Sequence, residues 1–258
     1  MSTSLFNSII FGPVHSRRLG LSLGVNLLPA FGKWCSFDCI YCECGWNKDG
    51  IADRKLPNKE DVVKSLETAL SSRLHETPEL NTITFSGNGE PTMHPDFAEI
   101  IEMAINLRDK YTPSAKISVL TNGSQIGKKA IVDALLKVDN AIIKLDSAFD
   151  ETAVSIDRPQ YMYSVSEVIK NLQPFKNRFV LQTMFLTGEF EGKIFDNTTD
   201  KELAAWYKVI DMVSPREVMI YTIDRDTPAK NLNKISQEVL NKIATPLVKK
   251  GYKVIVAG

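Results

Sequence analysis

Short β-branched or apolar runs alternate with amphipathic helical stretches along this chain, and that alternation restricts the fold more than any other feature. The runs that read as strands are Ser22–Leu28, Thr82–Ser86, Lys116–Thr121, Ala141–Asp146, Phe179–Phe185, Glu217–Thr222 and Lys253–Val256. Helical patterns fill most of the gaps, at Lys59–Leu74, Asp96–Lys110, Lys128–Lys137, Val165–Leu172, Thr199–Val213 and Lys234–Lys250. Asn58 ahead of Asp61, and Pro95-Asp96 ahead of an apolar stripe, are helix start signals. Strands that recur with helices between them, at roughly 25–40 residue spacing, indicate parallel βα units. The pattern therefore predicts an α/β fold, a partial (β/α)6-type parallel barrel. Barrels of this length run as one unit, so residues 1–258 are expected to form a single domain: an N-terminal extension over 1–21, a core over 22–222, and a C-terminal helix and strand over 223–258.

Catalytic groups in such barrels gather after the carboxyl ends of the strands. The residues with reactive or ligand-binding chemistry fall there. A cysteine loop follows the first strand, Gly87-Asn88-Gly89-Glu90-Pro91 the second, Thr121-Asn122-Gly123 the third, and Asp146-Ser147 the fourth.

The 31 basic and 31 acidic residues cancel, so no bulk field draws the chain to nucleic acid or an anionic membrane. No apolar run approaches the ~20 residues that span a bilayer. Met1 to Gly12 lacks the features of a signal peptide, and the expectation is a cytoplasmic protein without membrane association.

All four cysteines, Cys35, Cys39, Cys42 and Cys44, fall within ten residues. A disulfide framework would spread them to close long loops. Crowded into one loop, they point to a metal or cluster site in a reducing compartment. The spacing is C-x3-C-x2-C, and thiolates are soft ligands suited to iron–sulfur clusters or zinc. Three thiolates on a four-iron cluster leave one iron open, the mark of a reactive site. A four-cysteine zinc knob that recruits Cys44 is the alternative, although structural zinc sites use two separated ligand pairs and the Cys42-Glu43-Cys44 gap crowds a tetrahedral ion. A reactive thiol or disulfide is the third reading.

C-x3-C-x2-C, with aromatic Tyr41 just before the third cysteine, resembles the signature of the radical S-adenosylmethionine superfamily. The resemblance implies that Cys35, Cys39 and Cys42 bind a [4Fe–4S] cluster and that S-adenosylmethionine chelates the fourth iron. One-electron reduction then cleaves the sulfonium to a 5′-deoxyadenosyl radical, which abstracts a substrate hydrogen. It also implies that the Tyr41 backbone lies near the adenine. Ser86 through Pro91 resembles the superfamily's glycine–glycine–glutamate turn, with Asn88 in place of one glycine. Gly87 and Gly89 let the backbone approach a ligand, and the Glu90 carboxylate can pair with the methionyl ammonium; a plain glycine turn is the simpler alternative. Asn122 matches the third strand end of the family, and Asp146 or Ser147 is the expected partner of the ribose hydroxyls.

Four segments, 12–24, 87–94, 155–159 and 218–225, resemble the branch that includes the tRNA wyosine-base synthases. Those enzymes carry three further cysteines upstream, whereas residues 1–34 here contain none. What the resemblance implies is a single-cluster enzyme whose electron comes from a flavodoxin- or ferredoxin-type partner. Its substrate is unidentified, with a nucleoside or RNA first and a peptide or protein second. A non-catalytic iron–sulfur or zinc-binding module for electron transfer or structure is the alternative. Lys144, Cys44 and Tyr221 are candidate catalytic residues. Lys144 can meet substrate or pair with a carboxylate, and Cys44 can donate hydrogen or serve as a small buried thiol. Gln182, Thr183, Asp224 and Arg225 are candidate cavity-lining residues. Arg17, Arg18, Lys33 and Arg54 are a candidate anion patch, and His15 and His94 are expected to be structural.

Overall fold

A computed structural model describes residues 5–50 and 55–258 of the chain; Arg54 lies outside the described residues. They divide into two compact units, one from residues 5–35, 47–50 and 55–142, the other from 36–46 and 143–258.

The first unit carries β1 (Ile10–Ser16), β2 (Gly20–Val25), α1 (Lys59–Ser71), β3 (Thr82–Phe85), α2 (Phe97–Tyr111), β4 (Lys116–Thr121) and α3 (Lys129–Leu135). It also holds the first three residues of β5 (Asn140–Lys144). Its strand order is β1-β2-β3-β4-β5. The β1 strand pairs antiparallel with β2, while β2, β3 and β4 are parallel with Ser22 opposite Thr82 and Thr82 opposite Lys116. Thus the stretch expected as an extension over 1–21 contains a strand of the sheet. All four residues of β3 are buried, as expected of a parallel strand covered on both faces.

The second unit completes β5 and adds α4 (Asp150–Asp157), α5 (Val165–Asn171), β6 (Phe179–Met184), β7 (Leu186–Phe190), β8 (Lys193–Asp196) and α6 (Asp200–Val213). It ends with β9 (Glu217–Tyr221), β10 (Leu232–Lys234), α7 (Gln237–Lys249) and β11 (Lys253–Ala257). Its main strand order is β5-β6-β9-β11, with β9 parallel to both β6 and β11. A separate antiparallel sheet has the order β10-β7-β8. The expected helix from Lys234 starts later because Leu232–Lys234 pairs with β7, and Ser236 accepts the Val239 amide to cap α7.

Helix starts follow the local chemistry. Asn58 accepts the Asp61 amide at 2.7 Å, and Thr199 accepts that of Glu202 at 3.3 Å. Asp96 makes no side-chain cap. Instead His94 Nδ1 accepts the Asp96 amide at 3.1 Å, which leaves Nε2 to donate to the Pro57 carbonyl at 2.8 Å. That assigns His94 the structural role expected of it. No helix among the described residues is long and apolar enough to cross a membrane.

In the second unit α6 is locked to β6 by Trp206. Its indole N–H donates to Thr183 Oγ1 at 3.0 Å, and its ring meets Phe185 edge-on at 5.1 Å. Trp206→Ala is expected to cost about 3–5 kcal/mol, since a fully buried aromatic leaves a cavity. Trp206→Phe, which mainly removes the hydrogen bond, should cost about 1 kcal/mol. Urea unfolding midpoints of the two variants check this ranking.

Candidate active site

In the first unit the glycine turn after β3 is shaped by Trp34. The Trp34 amide donates to the Asn88 carbonyl at 2.8 Å and the Glu90 amide donates to the Trp34 carbonyl at 3.2 Å. The chain can pass so close only if Gly89 has no side chain: a Cβ there would overlap the Trp34 carbonyl oxygen, and its φ is +140°. Gly87, at φ +146°, is likewise hemmed in by the Asn26 amide. Asn88 is buried, and its side chain donates to the Pro29 carbonyl at 2.7 Å and accepts the Phe6 amide at 2.8 Å. Its side chain is thereby committed to the fold.

Glu90 is buried beneath this turn and collects four hydrogen bonds. Oε1 accepts from the Thr92 amide at 3.1 Å, the Thr92 hydroxyl at 2.5 Å and the Thr121 hydroxyl at 2.7 Å; Oε2 accepts from the Asn122 amide at 2.6 Å. Burial pushes its carboxyl above the ordinary range, and these hydrogen bonds pull against that shift. Among the described residues it has no cationic partner. The Asn122 side chain also points Nδ2 at Cys35 Sγ, 3.5 Å away, and Asn47 brackets the Cys35 backbone at 3.2 and 3.0 Å. Asn47 was not legible from sequence; nothing in the residues around it distinguishes it from a turn asparagine.

In the second unit the rest of the cysteine loop lies against the end of α4. The Asp38 amide reaches the carbonyls of Asp157 and Arg158 at 3.1 and 3.0 Å, the Ile40 amide that of Ile156 at 3.0 Å, and the Gln160 amide that of Ser36 at 2.8 Å. Turns from Cys39 to Cys42 and from Cys42 to Gly45 carry the loop onward. Glu43 is tied to Arg225 at 2.7 Å. Cys39 is buried, Cys35, Cys42 and Cys44 are half-buried, and none of the four is in a disulfide.

A charged cluster sits beside Cys39. Lys144 Nζ is ion-paired with both Asp146 and Asp157, lies 4.6 Å from the centre of the Tyr41 ring, and is 3.9 Å from Cys39 Sγ. Tyr41 donates its hydroxyl to Asp146, whose other oxygen accepts the Met184 amide at 2.9 Å. Burial alone would lower the Lys144 ammonium, yet Asp146 and Asp157 hold it well above the usual lysine range. Burial, and next the neighbouring Asp146 charge, push Asp157 up to about 7. Burial likewise raises the Tyr41 phenol. Tyr221, at the end of β9, couples electrostatically to both Tyr41 and Lys144. Asp157 is the group that sequence reasoning missed, because it lies at a helix end and not at a strand end.

Other expectations fare differently. Ser147 donates to Glu202 at 2.7 Å, so its hydroxyl is engaged within the protein. Thr183 turns toward α6, where it accepts the Trp206 indole N–H, and it donates to the Leu145 carbonyl at 2.7 Å within the core. Gln182 is buried with its amide on the Met219 sulfur at 3.4 Å. Asp224 and Arg225 lie exposed, paired with Lys234 and Glu43. Of the candidate anion patch, Arg17 and Arg18 precede β2, and Lys33 lies in the loop that follows it.

Two consequences are measurable. Gly89→Ala should lower stability by about 2–4 kcal/mol, because both the contact and the positive φ oppose a side chain. Denaturant titration checks it. Asp157 binds its proton more tightly when folded than when unfolded. Stability therefore falls as pH rises from about 4 to about 7 and then levels. Thermal melts of Asp157→Asn should show a flatter profile than wild type across that window.

The family model of the Radical SAM superfamily matches residues 30–196. The UPF0026 protein of Methanocaldococcus jannaschii is 30% identical over 242 residues, which are 92% of this chain and 70% of that protein. An S-adenosylmethionine-dependent nucleotide dehydratase of Selenomonas ruminantium is 29% identical over 124 residues, 47% of this chain and 39% of the relative. Among solved structures, Streptococcus suis SuiB superimposes with a TM-score of 0.65 at 13% identity, covering 91% of this chain and 48% of SuiB, which shows the same core fold. The family match over residues 30–196 and the similarity to the Methanocaldococcus jannaschii protein over nearly the whole chain show that it belongs to the radical S-adenosylmethionine superfamily.

Proposed function

We propose that this chain is an enzyme that uses S-adenosylmethionine and a [4Fe–4S] cluster on Cys35, Cys39 and Cys42 to abstract hydrogen from a nucleoside or RNA substrate. The observation that carries the reading is Glu90, a buried carboxylate held by four donors with no cation among the described residues. A buried anion in this state is costly unless a positive charge arrives, and the ammonium of S-adenosylmethionine supplies one. The donor set also fits the cluster: three soft thiolate ligands in a short loop, one approached by the Asn122 amide and another by the Lys144 ammonium.

When bound, the cluster held by Cys35, Cys39 and Cys42 would supply one electron for reductive cleavage of S-adenosylmethionine. The chain does the holding. Glu90 anchors the amino end of the cofactor, and the backbone of Gly87 and Gly89 is proposed to lie beside it. The Tyr41 backbone is the proposed neighbour of the adenine. For the ribose, Asp146 and Ser147 are proposed on their place after β5; Asp146 already accepts three donors and Ser147 is bonded to Glu202. Tyr221 and Cys44 are the proposed candidates for contact with substrate, whereas Lys144 is committed to Asp146 and Asp157. A flavodoxin- or ferredoxin-type protein is the proposed electron donor. The substrate class is supported by the similarity to the nucleotide dehydratase.

The test is anaerobic reconstitution with iron and sulfide, reduction with dithionite, and assay of 5′-deoxyadenosine. Wild type should form it, and Cys39→Ala should form none. Glu90→Gln should load its cluster and bind S-adenosylmethionine at least tenfold more weakly in equilibrium dialysis. Unchanged binding by a folded Glu90→Gln protein removes the central support for the reading.

A further inference from the structure

Lys144 ends β5 with its side chain only 10% exposed, and a lysine placed there must find counter-charges or a ligand. It finds Asp146 and Asp157, whose side chains are 0% and 1% exposed. Two of its three ammonium protons serve these carboxylates. The Tyr41 ring covers a further side, and Tyr41 is itself fixed by its hydroxyl on Asp146. The Met184 amide and, through the Asp146 carbonyl, Asn197 at 2.8 Å hold Asp146 in turn. What the ammonium still faces is the Cys39 sulfur, 3.9 Å away. A side chain so surrounded has no freedom to swing toward a substrate, and the two carboxylates keep it protonated.

We propose that Lys144 is a positioning residue that fixes a positive charge beside the Cys39 sulfur and thereby raises the reduction potential of the cluster held there. Reduction adds negative charge, and a nearby cation or a hydrogen bond to a ligating sulfur favours the reduced state. Burial strengthens the effect because little water screens it. Asp146 and Asp157 hold the cation and oppose its field, so the two kinds of charge have opposite predicted signs. The proposal rests on Cys39 being a cluster ligand.

The experiment is a redox titration followed by electron paramagnetic resonance on reconstituted wild type, Lys144→Met, Lys144→Arg and Asp157→Asn, with iron and sulfide measured for each. The midpoint should fall in Lys144→Met, return to near wild type in Lys144→Arg, and rise in Asp157→Asn. A cluster-loaded Lys144→Met protein with the wild-type midpoint overturns the proposal. If Lys144→Met holds no cluster, Asp157→Asn decides: a raised midpoint supports the proposal, and an unchanged or lowered one overturns it. Loss of the cluster in both charge variants assigns the network to folding alone and overturns it as well. A wild type that takes up no cluster overturns this proposal together with the cluster reading, whereas an unchanged midpoint overturns this one only.

Discussion

The cysteine loop buries Phe37, Ile40 and Tyr41, and its backbone is held in place by hydrogen bonds to the elements beside it. In the second unit that support is the end of α4, where Ile156, Asp157 and Arg158 offer carbonyls to Asp38 and Ile40. In the first unit Asn47 brackets Cys35, and the neighbouring Trp34 pairs with the glycine turn. These bonds involve main-chain groups that must be satisfied in any case. The conformation of Gly89 follows from the same constraint, since it is the closeness of Trp34 that excludes a side chain there.

Buried charge is handled in two distinct ways. Glu90 gathers neutral donors from β4 and from the turn itself, and its charge is solvated without being neutralised. Such a site is poised for a cation. Lys144, by contrast, has its counter-charges built in, with one carboxylate more than it needs. Burial, and next the charge of that second carboxylate, Asp146, push Asp157 up to about 7. The two arrangements match two tasks proposed for them, one taking up a ligand and the other setting the field around a thiolate.

Much of the fold was legible because parallel βα units impose two periodicities on the residues themselves. The expected strand Lys116–Thr121 matches β4 residue for residue, and Asn58 caps α1 as its side chain predicts. The hairpin of β7 and β8 and the strand β10 were not legible, since their residues are half exposed and carry no clean alternation. Strand β1 was hidden within a stretch rich in glycine, proline and charge. Thr183 illustrates the limit for single residues. Neighbouring positions on β6 are all buried, so the side it faces cannot be read from polarity and became visible only through its bond to Trp206.

The sequence by itself determined the chemistry on offer: three thiols at a spacing that suits a cluster, a glycine turn ending in a carboxylate, and polar residues after successive strands. Residue type and local spacing are enough for that, because ligand softness and glycine's conformational range belong to the residues. Only the tertiary structure decided which of those groups stand together. It brought Asp157 from the end of a helix to Lys144, gave Lys144 to Cys39, left Glu90 without a cation among the described residues, and bonded Asn88 to the Pro29 carbonyl and Ser147 to Glu202. Those outcomes depend on burial and on contacts between residues far apart in the chain, and no local pattern records either.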